Sequence, residues 1–66
     1  MTETVTGKFD SLLKIRNAQE DLIATGIPQE KIFVDEGSNE LKVLIPATSK
    51  SEIVEILNRH NPLRVT

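Results

Sequence analysis

The chain contains no cysteine, tryptophan or tyrosine, and only two of its 66 residues, Phe9 and Phe33, are aromatic. Without cysteine, neither a disulfide framework nor a thiolate metal site can brace the fold, and the pattern of a disulfide-rich secreted mini-protein is missing. Long apolar runs are also lacking. None approaches the ~20 residues that a bilayer-spanning helix requires, and no basic segment leads into an apolar one at the N-terminus. A cytoplasmic protein that stays out of the membrane is therefore expected. Charge of one sign is not in excess either. Eight basic and ten acidic residues are interspersed to a net −2, so no global field holds the chain on nucleic acid or an anionic membrane.

Sixty-six residues leave room for a single domain, residues 1–66, and a domain this small buries a modest share of its surface. With disulfides and thiolate metal sites excluded, self-association is the remaining reinforcement.

Residues 4–9 alternate polar and apolar, setting Val5, Gly7 and Phe9 against Thr4, Thr6 and Lys8, the period of a half-buried strand. Asp10 or Ser11 then caps a helix whose stripe is Leu12, Ile15, Ala18, Leu22 and Ile23. Gly26 closes it and Pro28 prevents its resumption. Two further alternating segments, 31–36 and 40–45, flank Gly37, Ser38 and Asn39, which read as a hairpin turn. Turn chemistry favours a two-residue Gly37-Ser38 turn. A wider register pairs Phe33 with Leu44 and Asp35 with Lys42, and side-chain complementarity favours that one. The second is the expected register. Pro46 ends the strand, and Ser49 with Glu52 makes a capping box before a second helix carrying Ile53, Ile56, Leu57 and His60. Asn61-Pro62 stops this helix before a short strand, residues 63–66.

The order strand, helix, strand, hairpin, strand, helix, strand contains two crossovers. The right-handed crossover rule puts both helices on the same face of one sheet. The expected fold is thus α+β, a two-layer ferredoxin-like βαββαβ sandwich with antiparallel sheet order 4-1-3-2. Its second face is left bare, presenting Phe33 and Leu44 as an apolar patch and Lys8, Lys42 and Arg64 as a basic row, with Asp35 beyond it.

Ferredoxin-like RNA-binding modules use this open face, stacking bases on aromatics of the central strands. Those positions here hold Thr6, Lys8, Lys42 and Leu44, which argues against nucleic acid. Free amides at the two helix N-termini could receive an anion. In this topology, however, they open at opposite ends of the sheet, and capping accounts for their serines. An acyl-phosphate hydrolase on such a fold would need a glycine-rich anion cradle with an arginine after the first strand, where this chain has Gly7-Lys8-Phe9-Asp10. His60 is the only histidine and has no companions at metal-site or catalytic spacing, so a packing or helix-end role is expected. Asp35, Glu36 and Glu40 read as a solvated turn.

Val5-x-Gly7-x-Phe9-Asp10-Ser11, then Ala18, Leu22, Gly26-Ile27-Pro28 and Ile32-x-Val34, resembles the β-α-β opening of bacterial general-stress (heat-induced stress) proteins. The resemblance covers residues 5–34. It implies a bacterial, cytoplasmic, non-enzymatic small domain and brings no catalytic residues with it.

These readings converge on a non-enzymatic protein-interaction module, a homodimer joined through the open sheet face or an edge strand, or bound there to another protein. Phe33 and Leu44 are its anchors, and Lys8, Lys42 and Arg64 set the partner's charge. The alternative is a domain that binds or senses a small anionic metabolite on the basic row. No cofactor or metal is expected.

Overall fold

The computed structural model describes residues 1–66. Alternation at the start of the chain produces β1 (Thr2–Lys8), which begins two residues earlier than the pattern suggests and buries Val5 and Gly7. Ser11 holds extended backbone and its side chain accepts from the Lys14 amide at 3.3 Å, capping α1 (Leu12–Thr25). At the other end Gly26 takes φ 114°. Its amide donates to the Ile23 carbonyl at 3.0 Å, and the next amide, of Ile27, reaches back to Leu22 at 3.1 Å, satisfying carbonyls that the end of a helix leaves free.

A single 3₁₀ turn over Gln29–Lys31 leads into β2 (Ile32–Asp35). A tight loop then returns the chain as β3 (Glu40–Pro46). A second 3₁₀ turn, Ala47–Ser49, runs directly into α2 (Lys50–Asn58). The capping box expected at Ser49 does not form. Ser49 sits at φ −98°, ψ 0° with no side-chain cap bond, because the 3₁₀ turn has already carried it into helical backbone. Asn61, at φ 55°, turns the chain out of α2 toward β4 (Arg64–Val65).

The four strands form one antiparallel sheet in the order β2-β3-β1-β4. This α+β arrangement fits a ferredoxin-like layout. Twelve buried apolar side chains make a single cluster in which Val5, Phe9, Ile32, Leu41, Val43 and Ile45 meet Ile15, Ala18 and Leu22 of α1 and Ile53, Ile56 and Leu57 of α2. Gly7 permits that meeting. A Cβ there would lie 3.0 Å from the Phe9 ring and 3.4 Å from a Leu57 methyl. The stripe of α1 is narrower than its spacing implies, since Leu12 and Ile23 are 38% and 42% exposed and form its rim.

The hairpin register differs from the expected one. Phe33 pairs with Lys42 and Asp35 with Glu40, the alignment of the Gly37-Ser38 turn, with the loop opened to four residues. Local bonds outweigh cross-strand complementarity here: the Asp35 carboxylate accepts from the Gly37 amide at 3.2 Å, and Asn39 adopts φ 54°. An Asx turn and a left-handed Asn are low-cost devices for closing a loop, and together they bring two like charges opposite each other.

Candidate functional site on the open sheet face

Side chains alternate faces along a strand, so the partners of β1 and β3 define what the uncovered face presents. Three rows cross it. The first runs Asp35, Glu40, Lys8, Arg64. The second runs Phe33, Lys42, Thr6 and ends on Thr66, which exchanges both backbone hydrogen bonds with Thr6 at 2.8 Å. The third pairs Leu44 with Thr4.

All five expected site residues lie on this face, but their neighbours differ from those anticipated. Lys8 is opposite Glu40 and Arg64, while Lys42 lies one row away between Phe33 and Thr6. The basic residues therefore form a bent cluster rather than a straight row. Phe33 and Leu44 are diagonal neighbours instead of a direct pair, at a separation of about 7–8 Å that long side chains still bridge. Phe33 is 49% exposed, whereas Leu44 is half-buried. Lys42, directly opposite Phe33, can lay its alkyl stem against the ring while its ammonium stays in water.

Glu40, read from the sequence as part of a solvated turn, shares the period of Lys42 and Leu44 and joins the open face. It stands between Asp35 and Lys8, yet its carboxylate is engaged by the Ser38 hydroxyl at 2.9 Å. Lys8, Lys42 and Arg64 take part in no ion pair within the chain; the four that exist join Lys14–Asp10, Lys50–Glu3, Arg59–Glu55 and His60–Asp21. Lys8 and Arg64 are thus two like charges paired across a ladder with no counter-charge in contact.

Beyond this face the structure offers little concavity. One shallow hollow of about 230 Å³ opens between α1 and the β2 edge, lined by Leu12, Ile15, Arg16, Gln19, Val34 and Glu36. His60 is remote from the open face. Its Nε2 meets the Asp21 carboxylate at 3.0 Å and ties the end of α2 to α1. No three His, Asp or Glu side chains converge in a metal-type cluster, and no helix is long and apolar enough to cross a membrane.

The fold and surface together define a small two-layer α+β domain with one bare sheet face. No family model matches the sequence, and comparison with curated proteins and with solved structures returns no match.

Proposed function

We propose that this chain is a non-enzymatic, ferredoxin-like interaction module that associates with itself through the β2 side of its sheet. Phe33 and Leu44 serve as apolar anchors, and Lys8, Lys42 and Arg64 set the charge of what is accepted. The observation that carries the reading is Phe33. One of only two aromatic residues, it lies half in water on an edge strand of a domain that buries just 13 of its 66 residues. Removing such a ring from solvent is worth on the order of 1–2 kcal/mol at ~25 cal/mol per Å². A single exposed side chain is ordinary. An aromatic beside Leu44, on a face without a covering layer, is the kind of surface that partners use. The resemblance to bacterial general-stress proteins adds a bacterial, cytoplasmic setting to this reading.

Sedimentation across a concentration series tests it. Reversible dimerisation that weakens at least tenfold in Phe33→Ser and Leu44→Ser is expected. A strict monomer, or association indifferent to both substitutions, would remove the proposal.

A second reading has its own observation in its favour. Lys8 and Arg64 stand opposite each other with neither in an ion pair, and Lys42 lies within a diagonal step. An anionic metabolite bound there would relieve their repulsion and raise the melting temperature. Screening phosphorylated and polycarboxylate metabolites by thermal shift, with Lys42→Ala and Arg64→Ala as controls, distinguishes it. A shift unaltered by either substitution would exclude this site.

A further inference from the structure

The backbone of the β2 edge narrows the self-association reading to one geometry. Because Thr6 and Thr66 bond each other reciprocally, the even-numbered residues of β1 turn their amides toward β4. The odd-numbered ones turn toward β3, as the Phe9 amide on the Asn39 carbonyl shows. Antiparallel ladders alternate bonded and non-bonded pairs. Carrying that alternation through β3, whose residues Lys42 and Glu40 face Phe33 and Asp35, leaves Ile32 and Val34 pointing their amides and carbonyls away from the sheet. The Ile32 amide is used by the Gln29 carbonyl. The Ile32 carbonyl and both backbone groups of Val34 remain as a template for another strand.

We propose, on the basis of the self-association reading above, that the occupant of this edge is a second copy of the chain. It binds β2 to β2, antiparallel about a twofold axis at Phe33, and joins the two sheets into one of eight strands. A twofold contact repeats every pairing in reverse, and this edge is complementary to itself. With Phe33 opposite its own counterpart, Lys31 of each copy lies beside Asp35 of the other. Ile32 lies beside Val34, and the Val34 amide donates to the Ile32 carbonyl twice over. Neither Lys31 nor Asp35 has an ion-pair partner within its own chain. A register centred on Val34 instead sets each Phe33 against an Asp35 and leaves Lys31 beside Gly37, forfeiting both matches.

The helix side of the same edge has the same character. Val34 is 37% exposed and lines the hollow together with Leu12, Arg16 and Glu36. Arg16 and Glu36 are of opposite sign and unpaired within the chain. A twofold axis brings two such hollows together, with apolar side chains between them. β2 is only four residues long, so the contact is small and the dimer exchanges readily with monomer.

Cysteine scanning tests the geometry directly, because the chain has no cysteine of its own. A non-bonded antiparallel pair holds its Cα atoms about 4.5 Å apart, within disulfide range. Under mild oxidation a mixture of Lys31→Cys and Asp35→Cys chains, both of which keep the Phe33 ring, is expected to cross-link at least tenfold faster than Val34→Cys or Leu44→Cys. In parallel, Val34→Pro removes an amide that the β3 ladder does not use, and it is expected to sediment as a folded monomer with a native circular dichroism spectrum.

Fastest cross-linking at Leu44, or a folded Val34→Pro that still dimerises, would overturn the edge geometry while leaving self-association standing. Fastest cross-linking at Val34 would overturn the register. A wild type that stays monomeric from about 10 µM to about 1 mM would instead overturn the self-association reading itself. Should Val34→Pro not fold, the cross-linking ratio decides.

Discussion

Asp21 and His60 are thirty-nine residues apart in the chain, and their side chains meet at 3.0 Å. Both are partly shielded, at 33% and 22% exposure, and the pairing requires the proton on Nε2 because an ionised carboxylate only accepts. Among ion pairs, only Lys50–Glu3, at a looser 3.8 Å, also joins distant parts of the chain. The others link residues four apart in sequence.

His60→Ala is therefore expected to lower unfolding free energy by about 1 kcal/mol, the net value of one such hydrogen bond. A double-mutant cycle with Asp21→Ala, read by urea denaturation, should return a coupling of about 0.5–1.5 kcal/mol. Strict additivity would mean that the contact contributes nothing.

The two serines preceding the helices should respond differently to the same change. Ser11→Ala removes a cap bond to the Lys14 amide and should cost about 1 kcal/mol. Ser49 makes no such bond, so Ser49→Ala should stay within about 0.5 kcal/mol of wild type. Equal losses in denaturant titrations would show that Ser49 caps after all.

Gly7 is the point of closest approach between sheet and core. One Cβ would require the Phe9 ring to yield a few tenths of an ångström, given a 3.0 Å approach. Gly7→Val adds two more methyl groups against Phe9 and Leu57, and should cost about 1–3 kcal/mol through overpacking. Unchanged stability in Gly7→Val would mean that the ring has another position to occupy.

Gly26 has open space around it but a φ of 114°, so the cost of a side chain there is conformational rather than steric. Gly26→Ala should lose about 1–2 kcal/mol, mainly as fraying of the last turn of α1. Amide hydrogen exchange at Ile23 to Ile27 would detect it. Protection equal to wild type would show that the turn tolerates the substitution.

The elements themselves are legible from periodicity. Val5 and Gly7 alternate as a strand must, Ser11 caps, and Gly26 with Pro28 ends α1 where those residue types require. Local pattern fails where two devices compete over a short distance. At the hairpin, an Asx turn at Asp35 and a left-handed Asn39 outweigh the attraction of Asp35 for Lys42. At Ser49, a 3₁₀ turn after Pro46 pre-empts a well-formed capping motif. The site follows the same division. Which residues face outward depends only on the period of two and can be read in advance. Which of them are neighbours depends on register: Lys42 beside Phe33 belongs to the Gly37-Ser38 alignment that turn chemistry favours, whereas Glu40 beside Lys8 comes from the structure alone. Asp21 and His60 carry no local signal at all, since only tertiary packing brings them together.

The position of β1 in the middle of the sheet has a consequence for how the molecule is made. Within this domain β1 is synthesised before its neighbours, so Val5 has no adjacent strand until β3 has been made. It acquires its second neighbour only with Arg64 and Val65. Sheet closure must therefore await the whole span from β1 to β4, which slows folding relative to a helical bundle of equal length. During that interval the nascent strand depends on solubility supplied by Thr2, Thr4, Thr6 and Lys8.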